Sequence, residues 1–382
     1  MSSTREALAA HQPRLRPGVL VSDALLHGPR TVHLVKDTAT GQSFEVGPRE
    51  RFLMVRMDGS RTVAELGGEY AAAFGKRLGD AHWGRLFQLL GGRGLLDGAP
   101  RPERPERPEG SERPEGAEGA AGPAPARGLL AGSVRLVADA HGTAGRLHRA
   151  TGFLLGPVWG TVLLAALGAM LLVLALHPGE LIDGAAAVFT QPVLLAAVAT
   201  ALWLSTALHE LAHGVAARHH GGRVREIGLR WRLPVVIMYC TVDDYMFLPG
   251  RRHRIVIAAA GAVANLLFLL PFCCWWLLAP DGPTRDGLAG LLFLGVLQAA
   301  AMLVPLPPLD GYTIACQLLG GLRLVESSRT YLSLALRRSP DAAAYPRRAR
   351  AAYLGYAAGT ALTVAALAVV LVLLVRAVVL AA

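Results

Sequence analysis

The sequence predicts a multi-pass α-helical membrane protein of about five spans, preceded by a small soluble α+β domain. Three observations carry this reading. From Gly152 onward there are five apolar stretches, each near the roughly 20 residues a helix needs to cross a bilayer. The chain is 53% hydrophobic yet has a formal charge of +10, and its arginines flank the apolar runs. A proline-rich, charged stretch separates these runs from an amino-terminal part of mixed composition. Such a pattern fits spans joined by basic loops. It excludes a nucleic-acid binder, which would gather Lys and Arg on one folded face with aromatic platforms. The four cysteines show no C-x-x-C spacing, so neither a thiolate metal site nor a disulfide framework is expected. Met1 to Gly18 is polar and charged, and no signal peptide is expected there.

Residues 1–98 make the soluble domain. Thr31–Val35 and Gln42–Val46 have strand-like composition, with a turn over Thr38–Gly41. Gly47-Pro48 opens a helix through about Met57, and Asp58-Gly59 breaks it. Thr62-Val63-Ala64-Glu65 is a capping-box pattern that starts a second helix, to about Phe74. Asp80 is expected to cap a third, whose Trp83, Leu86, Leu89 and Leu90 form an apolar core stripe.

This order of strands and then three helices, with Arg16-Pro17-Gly18-Val19 ahead and Met57–Leu66 in the middle, resembles the PqqD-like precursor-peptide recognition domain. The resemblance implies a winged-helix-like fold. It also implies that the leader of a ribosomally made peptide binds as an added strand, in a groove between roughly Gln42–Val46 and Ala81–Leu90. Residues 99–127 follow as a linker. Arg-Pro-Glu recurs there four times, starting at Arg101, Arg104, Arg107 and Arg113. Such sequence stays extended and solvated.

Residues 128–382 make the membrane-embedded domain. The expected spans are Gly152–Leu176, Pro192–Ala217, Ile255–Leu278, Gly287–Val304 and Ala352–Leu374. Arginines crowd the loops before the first span, after the second and after the fourth. The positive-inside rule therefore places the chain in a cell membrane with its amino terminus cytoplasmic. The second span then runs inward and ends near the cytoplasmic face. The fourth runs the same way and ends at Pro305-Leu306-Pro307-Pro308-Leu309-Asp310-Gly311.

The second span carries His209-Glu210-Leu211-Ala212-His213, an H-E-x-x-H pattern. Positions four apart share a helix face, so both histidines can aim a ring nitrogen at one metal ion. Two imidazoles suit zinc, which in a catalytic site takes one more protein ligand and keeps an open position. Glu210 is placed to take a proton from water. A chance pattern on an ordinary helix is the competing reading. Ionisable groups in a membrane run are expensive and usually functional, which favours the metal.

The H-E-x-x-H span, the later Pro-Pro-Leu-Asp-Gly turn and the G-x-x-x-N element Gly261 to Asn265 together resemble the site-2-type intramembrane zinc metalloproteases, over roughly residues 195–315. The resemblance implies Zn2+ held by His209, His213 and Asp310, with Glu210 as general base. Asn265 then either orients substrate and the developing oxyanion or bonds across helices. Val224–Leu229 and Val235–Tyr239 are β-rich, and an edge strand there would hold an extended peptide or protein substrate. Asp243 or Asp244 as a ligand is a weaker alternative.

His219 is a rival third ligand, at the spacing of H-E-x-x-H-x-x-G-x-x-H. That pattern needs a glycine where this chain has Ala216, the best helix former. On a continuing helix His219 turns to another face. His220 returns to the right face but lies roughly 10 Å along the axis. A transporter would place ionisable groups in several spans, and the first and third expected spans have none. A catalytically inactive docking protein that only binds a leader peptide is the remaining alternative.

Overall fold

The computed structural model describes residues 2–98, 131–232 and 235–381. The stretch 99–127, expected as a linker, lies outside the described residues. The described chain divides into two compact units. One gathers residues 2–98 with Gly320–Arg323 and Leu334–Ala349, and the other holds the rest.

The first unit opens with α1 (Ser2–Ala10), then β1 (Val19–Val21), β2 (Leu25–His27), β3 (Arg30–Asp37) and β4 (Ser43–Val46), then α2 (Pro48–Met54), α3 (Val63–Phe74) and α4 (Asp80–Gly92). Strand β3 is central. β1 and β2 pair antiparallel along one of its sides and β4 along the other. Two further strands therefore precede the expected pair. They are three residues each, too short for a periodic signal. Leu26 also bridges Gly321 in parallel.

Helix α3 starts on a complete capping box. Glu65 N–H donates to the Thr62 hydroxyl at 3.2 Å, and Thr62 N–H donates to the Glu65 carboxylate at 2.7 Å. It ends on Gly75 in the left-handed conformation (φ 68°). Two local expectations are corrected. Helix α2 stops at Met54, short of Met57. Gly79, not Asp80, is the cap residue of α4, and Asp80 is its first helical residue. In the apolar stripe Trp83, Leu86 and Leu90 are buried, but Leu89 is 40% exposed because it falls off the face that meets β3, α2 and α3.

The second unit begins with β5 (Ala131–Arg135) and α5 (Ala140–Thr151). A 3₁₀ turn over Gly152–Leu155 leads to α6 (Pro157–Leu176), α7 (Pro178–Thr190) and α8 (Pro192–His219). The hairpin β6 (Arg223–Arg232) and β7 (Val235–Asp243) follows, then α9 (Arg251–Leu278), α10 (Pro283–Met302), α11 (Asp310–Leu319), α12 (Leu324–Leu336) and α13 (Arg347–Ala381). Five helices are long and apolar enough to cross a membrane: α6, α8, α9, α10 and α13. The first of them starts at Pro157 and not Gly152, because Gly156-Pro157 interrupts the run and proline is best placed in a first turn. The third starts at Arg251, ahead of the expected Ile255, and so takes in Arg254. That guanidinium is buried and donates to the carbonyl of Leu248 at 2.6 Å and to Gln317 at 2.8 Å.

The apolar core of this unit is built by α6, α7, α8, α9 and α10, around Leu269, Trp276 and Leu292. Helix α7 has no counterpart among the expected spans. Its Ala185, Ala186 and Val188 are buried against the bundle, so it is a packing element between the first two spans. Strands β5, β6 and β7 form an antiparallel sheet in that order.

Candidate metal centre

Helix α8 has Pro192 in its first turn, where a missing N–H leaves nothing unpaired, and runs unbroken to His219. Ala216 is buried inside it. His209 and His213 therefore lie one turn apart on one face, with their Nε2 atoms 3.2 Å apart. Nδ1 of His213 donates to the Ile257 carbonyl of α9 at 2.7 Å. A carbonyl only accepts, so the proton is on Nδ1 and Nε2 presents a lone pair to the centre.

Asp310 reaches the same point from the turn that follows α10. Oδ2 is 2.9 Å from Nε2 of His209 and 3.3 Å from Nε2 of His213. That oxygen is buried and makes no hydrogen bond. Ligand atoms placed tetrahedrally about 2.0–2.1 Å from a zinc ion lie about 3.3 Å from each other. The three separations fit that spacing, and the donor set of two imidazoles and one carboxylate suits zinc.

Backbone geometry makes these approaches possible. A Cβ at Gly261 of α9 would stand 2.5 Å from Cε1 and Nε2 of His209, so glycine leaves the space the ring occupies. After α10 ends at Met302, the chain turns through Pro305, Pro307 and Pro308, and the Tyr356 hydroxyl of α13 donates to the Pro305 carbonyl at 2.7 Å. A Cβ at Gly311 would overlap the Leu303 carbonyl, so the Asp-Gly pair is what lets the chain close on itself. Asp310 is the first residue of α11, where a carboxylate also suits the helix dipole. The Arg254–Gln317 bond ties α11 to α9.

Glu210, next to His209, has its Oε2 hydrogen-bonded to the Cys240 N–H of β7 at 3.0 Å. Burial, and then the Glu210 charge, push the Cys240 thiol up to about 12, so the sulfur stays protonated beside it. Asn265, one turn beyond Gly261, is buried. Its Oδ1 accepts from Ser205 Oγ of α8 at 3.0 Å, and its Nδ2 has no partner among the described residues. Gln298 of α10 donates to the neighbouring Thr206 at 2.8 Å. Helix α8 is thus fastened on two sides, one turn ahead of the histidines.

The structure brings His209, His213 and Asp310 together and leaves the rival ligands apart. His219 meets His148 of α5, with ring nitrogens 3.1 Å apart. Asp243 pairs with Arg225 across the hairpin at 3.4 Å. Four features escaped sequence reading: the Ile257 carbonyl, the Cys240 N–H, the seat that Gly261 leaves for His209, and the Arg254–Gln317 tie. The first two are main-chain groups, which leave no mark in residue identity. Polar Ser205-Thr206 inside an apolar run is the signal that could have shown where α8 is fastened.

Residues 197–280 match the model of Peptidase family M50, the site-2 protease family of zinc metalloproteases. The matched stretch contains His209, Glu210, His213, Gly261 and Asn265. No curated protein and no solved structure matches the chain. The family match and the five apolar helices support membrane metallopeptidase activity in general.

Proposed function

We propose that this protein is a membrane-embedded zinc endopeptidase that hydrolyses a peptide precursor or membrane protein near the cytoplasmic face. One observation carries it above all: two imidazole nitrogens and a carboxylate oxygen converge within 3.3 Å beside a glutamate, inside a membrane bundle. His209, His213 and Asp310 would hold Zn2+. When bound, zinc supplies Lewis acidity, which acidifies water and polarises a peptide carbonyl. Glu210 accepts the proton of the attacking water on its carboxylate and passes it to the departing amine. The Nδ2 donor of Asn265, buried and unused, is assigned to the substrate backbone or the developing oxyanion. The Asn265–Ser205 bond keeps that amide in place.

The substrate enters extended, because a scissile bond inside a helix has its carbonyl engaged and its backbone shielded. The outer edge of β7, next to Glu210, is the seat that supports this. We assign the amino terminus to the cytoplasm from the arginine-rich loops. The first unit is assigned to leader-peptide recognition, with a leader adding as a strand to the outer edge of β4, which pairs only with β3 among the described residues. The experiment is co-expression with small reading frames that neighbour the gene, followed by mass spectrometry. Cleavage that needs Glu210 supports the peptidase reading. A processed peptide that is the same with Glu210→Gln would refute it and favour a docking role.

A further inference from the structure

The β7 edge beside the metal centre is not bare. In an antiparallel pair, alternate residues turn both main-chain groups away from the partner strand. The Ile227 carbonyl points away from β7, accepting from Leu136 N–H at 3.1 Å, so the Ile227–Cys240 pair does not exchange hydrogen bonds. Val236, Met238 and Cys240 therefore present their N–H and C=O groups outward. Two of these outward groups are capped by side chains of α8. Trp203 Nε1–H donates to the Val236 carbonyl at 2.8 Å, and Glu210 Oε2 accepts from the Cys240 N–H at 3.0 Å. Trp203 and Glu210 are seven residues apart, two turns along one helix face. One caps an acceptor and the other a donor, as the rungs of an incoming strand would. Trp203 is 45% exposed, so that end of the edge is open to approach.

We infer that Glu210 is latched by β7 in the free protein, and that an extended peptide pairing with β7 takes over the Cys240 N–H and releases the carboxylate to act as base. This rests on the peptidase reading above and adds its regulation. While Cys240 N–H holds one carboxylate oxygen, Glu210 is committed to the sheet. A bound strand replaces that acceptor with its own carbonyl and displaces Trp203 from Val236 in the same way. Hydrolysis is then coupled to occupation of the edge, which guards a membrane-facing hydrolytic centre against short or helical chains that cannot pair.

Competition for one edge is measurable without turnover. The probe is a fluorescent octapeptide of alternating Thr and Val, with a version N-methylated at alternate amides as a control that cannot pair. Binding is measured on the whole protein in detergent. A hydrogen bond to a charged acceptor corresponds to about 10- to 100-fold in an equilibrium constant, and a neutral one to about 2- to 10-fold. Glu210→Ala is therefore expected to bind the octapeptide about tenfold or more tightly than wild type, and Trp203→Phe a few-fold more tightly. Cys240→Ala, which keeps the main-chain donor, should bind as wild type. Hydrogen exchange adds a second readout. The Cys240 amide should be protected in the free protein, exposed in Glu210→Ala, and protected again when the octapeptide is added. Unchanged or weaker binding by both Glu210→Ala and Trp203→Phe, with the Cys240 amide equally protected in all forms, would overturn the latch. If the binding pattern holds but no peptide is ever hydrolysed, the peptidase reading fails and the competition for the edge stands.

Discussion

Gly261→Ala tests the metal centre at the point where it has least room. The added methyl would stand 2.5 Å from Cε1 and Nε2 of His209 and 2.6 Å from Cδ2. Ordinary carbon contacts lie near 3.5–4.0 Å, so the ring has to retreat by about 1 Å. The ring cannot easily do so, because His209 is only 4% exposed. Nor can α9 back away cheaply, since the Asn265–Ser205 bond and the Ile257–His213 bond hold it against α8. Metal-ligand distances tolerate about 0.2 Å. A shift several times larger removes one ligand from the set. Disturbing even an outer partner of a metal ligand costs about 10- to 100-fold in affinity, so a loss of at least that size is expected here. Overpacking adds a destabilisation of about 1–3 kcal/mol. The assay is zinc content by mass spectrometry after dialysis against a graded series of chelator concentrations. Gly168→Ala in α6 is the control, since a Cβ there meets nothing within 4 Å. It should hold zinc as wild type does. Wild-type zinc affinity in folded Gly261→Ala would show that His209 does not ligate from the position the structure gives it.

Three further outcomes are expected. Asp310→Ala should abolish zinc binding, whereas His219→Ala should leave it nearly intact, because His219 is engaged by His148; metal analysis showing the reverse pattern would put the third ligand on α8. Glu210→Gln should retain about one zinc per chain and lose cleavage if the residue has the proposed role of base and not ligand; loss of the metal would contradict that role. In the first unit, hydrogen bonds from the Thr62 N–H and hydroxyl hold the Glu65 carboxyl below its ordinary value of 4.5. A lowered folded pKa gives stability that is present above about pH 4.5 and lost as pH falls through the lower folded value. Amide exchange in α3 should therefore be faster in Glu65→Gln than in wild type at pH 7, after correction for intrinsic rates, and the difference should shrink as pH falls below 4.5; a difference independent of pH would refute the linkage.

Much of this protein follows from its residues alone, wherever the controlling physics is local. Bilayer thickness and composition suffice to find the five apolar helices. Thr62 and Glu65 meet across a single helical turn, so their capping box is written in four consecutive positions. His209 and His213 share a face because of the helical repeat, and Ala216 continues that helix because nothing in its side chain opposes it. Packing decided the remainder. Asp310 reaches the two histidines only because three prolines stop α10, Gly311 lets the chain fold back on Leu303, and Arg254 and Tyr356 hold the result. Whether Gly261 is a mere small residue or the seat of His209 depends on how closely α9 approaches α8. Short strands such as β5, and a packing helix such as α7, draw their stability from neighbours rather than from their own pattern. The Ile257 carbonyl and the Cys240 N–H are groups every residue owns, so only the tertiary structure, by aiming them at His213 and Glu210, sets them apart.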